Sequence, residues 1–314
     1  MLLRVFIAFS VLAGLAFGAT PASATVLVPD FGSNPGNLVM YRHTPSSLPA
    51  GRPVVVALHG CTQNAAGYGD GSGWAQLADQ MKFTLVLPEQ KSVNNFNKCF
   101  NWFERGDTTR GQGEAESVAQ MVRRARDDAG AARVYVTGLS AGGAMTAVML
   151  AAYPELFTGG GIVAGLAYRC ASSMIEAFSC MHPGRNLSPG QLGDSVRAAS
   201  SHAGPWPTVS IWQGTADYTV SPSNATELVE QWTNVHGVPA VPTETGMVAG
   251  YPHARYGSVV ETYTITGMGH GQPVDPGTCG QAGAYFLDVD VCAAGRLSDT
   301  WQLGVTARGG LSML

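Results

Sequence analysis

Two kinds of apolar pattern alternate along this chain. Short uninterrupted runs, such as Val54-Val55-Val56-Ala57-Leu58 and Leu85-Val86-Leu87, are bounded by Gly, Pro or polar residues. Between them lie longer stretches in which apolar residues recur every three or four positions. An uninterrupted short run suits a strand buried on both faces of a parallel sheet, and the three-to-four spacing suits a helix laid across that sheet. The pattern predicts strands at 53–58, 83–88, 134–137, 159–164 (weak, because it begins with three glycines) and 207–212, with 259–266 as the last strand. It predicts helices at 74–81, 114–128, 144–153 and 223–235. In the second of these the inward face is Val118, Met121, Val122 and Ala125. Glu114 and Glu116 fall in its first turn, where the helix dipole favours them, and Gly130 stops it. Residues 26–37 read as a short edge strand or hairpin leading in, and 89–113 and 165–205 as long irregular segments. Strands alternating with helices imply an α/β fold: a mostly parallel central sheet flanked by helices.

The sharpest local feature lies where one strand gives way to a helix. Val134-Tyr135-Val136-Thr137 runs into Gly138-Leu139-Ser140-Ala141-Gly142, and a small-residue helical run follows. A Gly-x-Ser-x-Gly match arises easily in a chain with 40 glycines, so the strand before it and the helix after it carry the inference. At such a turn the serine is held in a strained backbone conformation while the glycines leave room for neighbouring main chain. The Ala141 N–H then points, with the helix N-terminus, to where an oxyanion would form.

Other polar residues fall in loops after predicted strands, on the rim where open α/β sheets gather their catalytic groups. The strand at 53–58 ends in His59-Gly60-Cys61-Thr62-Gln63, a loop that in α/β hydrolases supplies a second oxyanion N–H; here the candidate is Cys61. His59 reads as a structural residue that hydrogen-bonds this loop. Asp217 follows the strand at 207–212, and His270 follows the strand at 259–266 between Gly269 and Gly271. His236 at a helix end and His253 in a Pro-flanked connection are the other histidines after Asp217. The order Ser140, Asp217, His270 is that of the α/β-hydrolase triad, with Ser140 as nucleophile, His270 as base and Asp217 as its orienting acid. Gln63, Trp102, Tyr168 and Trp212 are the candidates for substrate binding.

The first 24 residues have the layout of a secretory signal peptide: Arg4, an apolar run from Val5 to Phe17, then Ala22-Ser23-Ala24. That leaves 25–314 as a single catalytic domain, exported to the periplasm or the medium. Net charge is −4 with scattered basic residues, which gives no footprint for nucleic acid or an anionic membrane. Six cysteines behind a leader read as disulfides, and sequence alone does not choose their pairing. Chain order suggests Cys61–Cys99, Cys170–Cys180 and Cys279–Cys292. In the chain-entropy picture the first would stabilise by roughly 4 kcal/mol and the shorter two by roughly 3. The cysteines lack the paired spacing of a zinc site, so no metal is expected.

Taken together, the segments 58–63, 99–103, 138–143, 214–220 and 267–270, with the tail from Pro273 through Cys279 to Phe286, resemble the poly(3-hydroxybutyrate) depolymerase family. That family is similar to feruloyl and acetylxylan esterases. The resemblance implies an α/β-hydrolase fold, hydrolysis of an ester substrate and no cofactor. It carries the triad roles onto Ser140, Asp217 and His270, and the oxyanion hole onto Cys61 and Ala141. Members that attack solid polymer often carry a further binding domain after the catalytic one. This sequence ends at Leu314, which directs expectation to soluble oligomers, amorphous polymer or short-chain esters, with feruloyl or acetyl esters of xylan as the alternative.

Overall fold

In the computed structural model, which describes residues 24–304, the uninterrupted apolar runs become neighbouring strands of one ten-stranded sheet. Its chain order opens with β1 (Ala24–Leu27), β2 (Val39–Thr44), β3 (Val54–Leu58) and β4 (Thr84–Glu89). There follow β5 (Val134–Leu139), β6 (Gly159–Val163) and β7 (Thr208–Gly214), then β8 (Glu244–Val248), β9 (Tyr251–Tyr256) and β10 (Val260–Ile265). Across the sheet the order is β1-β2-β4-β3-β5-β6-β7-β10-β9-β8. The strands from β4 to β10 in that order run parallel; β2 and β9 flank them antiparallel, and β1 and β8 pair antiparallel with those two. This is the α/β-hydrolase arrangement expected from the sequence.

An uninterrupted run serves two cores at once, because successive strand residues point to opposite faces. Val54, Val56, Leu58, Val134 and Val136 face one core, and Val55, Ala57 and Tyr135 face the other. The first core is covered by α4 (Gly113–Ala129), α5 (Ala141–Ala152) and α8 (Ser223–His236). The second is covered by α1 (Ala65–Gly71), α2 (Trp74–Met81) and α9 (Ala293–Thr300). There Trp301 stacks on Trp74 and Tyr135 at 5.8 and 4.6 Å. The glycines of β6 let helices approach: a Cβ on Gly160 would strike Leu150 of α5, and one on Gly161 would strike Leu297 of α9.

Several expectations are corrected. Residues 165–205 are not wholly irregular; they hold α6 (Met174–Met181) and α7 (Pro189–Arg197). Both starts were written in the sequence: Ser173 caps the Glu176 N–H, and Ser188 forms a capping box with Gln191 around Pro189. The lead-in is an edge strand as expected, but it is β1, paired antiparallel with β2, and it does not extend over 26–37. The connection holding His253 is the β8–β9 hairpin. The strand at 259–266 is not the last, because β11 (Gln272–Val274) and β12 (Phe286–Asp288) form a small parallel pair beyond it. The long segment 89–113 contains one short turn of helix, α3 (Arg105–Thr108). Except for Ala24, the leader at 1–24 lies outside the described residues, as do the last ten residues, from 305 on. No helix among the described residues is long and apolar enough to cross a membrane.

Candidate active site

Four parallel strands deliver their following loops to one rim: β3 leads to His59, β5 to Ser140, β7 to Asp217 and β10 to His270. Ser140 has φ 58° and ψ −118°, a strained conformation for a residue with a side chain. The surrounding main chain holds it there: its N–H donates to the Val163 carbonyl at 2.9 Å and its carbonyl accepts from the Ala144 N–H. Two glycines make the turn possible. A Cβ on Gly138 would lie 2.7 Å from the Leu58 carbonyl oxygen, and one on Gly142 would lie 2.6 Å from that of His59 and closer still to that of Leu58. The end of β3 therefore rests directly on the first turn of α5.

The structure brings Ser140, His270 and Asp217 into one line. His270 Nε2 is 2.9 Å from Ser140 Oγ, and His270 Nδ1 is 2.7 Å from Asp217 Oδ2. Asp217 accepts only, so the Nδ1 proton lies between the two and Nε2 is left free to accept from the serine. The Asp217 side chain is entirely buried and fully subscribed. Its Oδ1 accepts from the Thr219 and Val220 N–H groups at 2.9 and 2.8 Å, and its Oδ2 from Gln213 Nε2 at 3.1 Å. Gln213 is held in turn by the Gly214 and Val220 carbonyls. His270 keeps 11% of its side chain accessible, which opens the line to solvent at one end.

On the other side of Ser140, the Cys61 and Ala141 N–H groups have no hydrogen-bond acceptor among the described residues. The loop carrying Cys61 is fixed at several points. Thr62, at φ 66°, donates its N–H to the Asn97 carbonyl at 2.6 Å, and the Cys61–Cys99 disulfide ties the same two segments. The remaining cysteines pair as Cys170–Cys180 and Cys279–Cys292. No group of three or more His, Cys, Asp or Glu side chains among the described residues could hold a metal ion.

The candidates for substrate binding divide differently. Trp212 is not available to a substrate. It is fully buried in β7, stacks on Tyr263 at 3.8 Å and spends its indole N–H on Ser210 Oγ. It lies on the sheet face that packs α2 and α9, and its side chain belongs to that core. Trp102 and Tyr168 are buried in the opposite core. Trp102 packs edge-on against Phe103, and Tyr168 has its peptide held by Gln231 and its ring under Arg169. Gln63 acts within its own loop, its Oε1 accepting from the Gly60 N–H at 2.8 Å. Two residues to which the sequence reading gave no role lie beside the site. Gln213 supports Asp217; a buried glutamine near the end of β7, four residues before the acid, was its signal. Tyr285 stands edge-on to His270 with the ring centroids 6.4 Å apart, half exposed; it lies in the tail segment that carries the family resemblance, which gave it no role of its own.

The chain is similar to known esterases. Residues 39–249 match the family described as esterase PHB depolymerase. Over 305 residues the chain is 53% identical to poly(3-hydroxyalkanoate) depolymerase C of Paucimonas lemoignei, spanning 93% of this chain and 73% of that one. Over 265 residues it is 35% identical to an acetylxylan esterase of Coprinopsis cinerea, spanning 81% and 70%. Among solved structures, an acetyl xylan esterase from Aspergillus awamori aligns with a TM-score of 0.74 at 30% identity, over 79% of this chain and 94% of that one.

Proposed function

Since the chain belongs to the esterase PHB depolymerase family, we propose that it is a serine esterase that hydrolyses short-chain hydroxyalkanoate esters, poly(3-hydroxybutyrate) or its oligomers, through an acyl-enzyme. Ser140 Oγ attacks the ester carbonyl as His270 Nε2 takes its proton. Asp217 holds the imidazole in the required tautomer and stabilises the imidazolium that forms. The Cys61 and Ala141 N–H groups receive the tetrahedral oxyanion. His270 then protonates the departing alcohol, and water repeats the sequence on the acyl-enzyme. The observation that carries this reading is the continuous line from Ser140 Oγ through His270 to the buried Asp217 carboxylate.

The surroundings of the site favour a polyester over a sugar-borne ester. Phe96, Ile175, Phe178 and Tyr218 are exposed at 91, 82, 67 and 84%, on segments joined by sequence or by a hydrogen bond to the loops of the site. Phe96 precedes Asn97, whose carbonyl holds the Thr62 N–H, and Tyr218 follows Asp217. Ile175 and Phe178 lie on α6, whose Met181 carbonyl accepts from Ser221 N–H. Exposed apolar side chains on these segments suit a chain of ester and methyl groups better than a hydroxyl-rich polysaccharide. The second reading, an acetyl or feruloyl ester of xylan, is favoured by the likeness to acetylxylan esterases. We assign residues 1–24 as an export signal and 25–314 as the catalytic domain, with three disulfides suited to an oxidising compartment.

The test pairs a variant with a substrate panel. Ser140→Ala is expected to fold and to lose all measurable ester hydrolysis and phosphonate labelling; retained activity would remove Ser140 from the mechanism. In the unaltered protein, hydroxybutyrate oligomers are expected to be cleaved with higher kcat/KM than acetyl or feruloyl xylan esters. The reverse ranking would replace the first substrate reading with the second.

A further inference from the structure

Resting on that reading, we propose that Tyr285 is a specificity-determining residue for the leaving alcohol: its ring is the apolar surface against which the unit released on the His270 side packs. Tyr285 and His270 meet in a T-shaped contact, with ring planes at 78° and centroids 6.4 Å apart. Among the described residues, Tyr285 is the aromatic side chain in ring contact with that imidazole. The reaction decides what passes there. His270 must hand its proton to the departing oxygen, so the alcohol half of the ester leaves on the imidazole side of Ser140. The oxyanion points the other way, to Cys61 and Ala141. In a hydroxybutyrate oligomer the leaving alcohol is secondary, with a methyl group on the carbon next to the cleaved bond. A ring 47% exposed has apolar face left to cover that methyl.

The ring is held there by its backbone. Tyr285 has φ 64°, in the left-handed region that a bulky residue seldom occupies. Its carbonyl accepts from the Gln272 N–H at 2.8 Å, two residues after His270. The turn around it is closed by Gly283 and Phe286, whose N–H groups each donate to the other's carbonyl, at 2.9 and 3.0 Å. The next ring, Phe286, packs inward, 6.2 Å from Tyr68 and against Gly71, where a Cβ would strike it. The Cys279–Cys292 disulfide closes the whole segment. Main chain, Phe286 and the disulfide therefore fix the turn, and the Tyr285 ring belongs to neither hydrophobic core. A strained residue whose side chain supports no core, kept beside a catalytic imidazole, fits a part in binding better than one in folding.

Two esters of one acid isolate the alcohol. The linear dimer of 3-hydroxybutyrate and methyl 3-hydroxybutyrate form the same acyl-enzyme and differ only in what leaves. Because kcat/KM covers the steps through release of the alcohol, the ratio of the two values, dimer over methyl ester, reads the leaving group. Tyr285→Ala keeps a Cβ, and with it the backbone strain, but removes the ring. The ratio is expected to fall about tenfold in that variant. Tyr285→Phe returns the ring and is expected to bring the ratio back to within about twofold of wild type. An unchanged ratio in Tyr285→Ala, or a fall as large in Tyr285→Phe, overturns the proposal. Should Tyr285→Ala fail to fold, NMR of Ser140→Ala with the dimer bound decides. Contacts from the Tyr285 ring to the methyl of the carboxyl-terminal unit are expected; their absence, or contacts to the hydroxyl-terminal unit alone, overturns it. Failure of the underlying reading looks different: the unaltered protein would leave both hydroxybutyrate esters intact, or Ser140→Ala would cleave them.

Discussion

The Asp217–His270 side of Ser140 is made of side chains held by backbone, whereas the Cys61–Ala141 side is made of backbone held by side chains and packing. On the first side, the Thr219 and Val220 N–H groups fix a carboxylate, which fixes an imidazole. On the second, the His59 imidazole, bonded to the Gly60 carbonyl, and a disulfide fix the loop that carries the Cys61 N–H, one of the two proposed oxyanion donors. The difference determines how each half can fail. A relay of side chains is broken by one truncation. A pair of backbone donors is not removed by truncating its own side chains and fails only when what holds the main chain, the Cys61–Cys99 bridge included, is changed.

The largest effect should come from Asp217→Asn, which breaks the side-chain half with little change of shape. The new Oδ1 can still accept from Thr219 and Val220 N–H, but the amide nitrogen would face His270 Nδ1. The imidazole would then turn its proton towards Ser140 and could not accept one. We expect kcat to fall by about three to four orders of magnitude, with the folding midpoint lowered because the same amide nitrogen would also face the buried Gln213 Nε2 donor. A loss below about tenfold would mean that another group orients His270.

Gly142→Ala is the corresponding break on the backbone half. Alanine is the better helix former by about 1 kcal/mol, so an exposed helical glycine would gain from the change. Here the added Cβ would lie 2.6 Å from the His59 carbonyl oxygen and strike that of Leu58, and neither main-chain atom can swing aside. Overpacking of this kind commonly costs about 1–3 kcal/mol, enough to cancel the helical gain. Relief must come from moving the loop that carries Cys61, so kcat should fall by about ten- to a hundredfold while the relay distances persist. Urea unfolding and steady-state kinetics on one preparation would show it. Wild-type kcat in the folded variant would mean that the Cys61 N–H is not needed.

How far the sequence disclosed this molecule follows the same division. Residues that act by their own side chains were legible, because Ser140, Asp217 and His270 each sit where a strand ends and their order along the chain is diagnostic. The parallel strands were legible because burial on both faces leaves uninterrupted apolar runs. The β8–β9 hairpin, by contrast, is largely exposed or half-buried and has no such run. Trp212 was misplaced because a strand's apolar pattern does not say which face a side chain takes; its partner Tyr263 lies far along the chain. The place of Tyr285 beside His270 was invisible for a related reason: it depends on a tail folding back through β11 and β12. The support given by His59 was half visible, since the residue was expected to brace its loop, but Gln90 as its second partner is a contact between distant segments.

The smallest effect tests how the backbone half is supported from behind. Glu114 is buried at the start of α4, accepts from the Asn101 N–H at 2.8 Å and from Gln90 Nε2, and so ties α4 to the segment that holds His59. Burial first, then the nearby Asp107, raises its pKa from 4.5 to about 8, against the opposing pull of those two hydrogen bonds. The raised value means that the folded protein binds this proton more tightly than the unfolded chain does. The stability it contributes is therefore fully present below about pH 4.5 and is lost as pH rises towards 8. Glu114→Gln removes the titration, so the decline in stability across that window should flatten by on the order of 1–3 kcal/mol. Because Gln90 reaches His59 through its backbone N–H rather than its side chain, kcat should change by less than about threefold. Urea midpoints for both proteins at about pH 5 and about pH 8 give the comparison. Equal slopes would show that Glu114 stays ionised in the fold, and a large drop in kcat would show that the loop behind Cys61 is less independently braced than His59, Gln63 and the Cys61–Cys99 bridge make it.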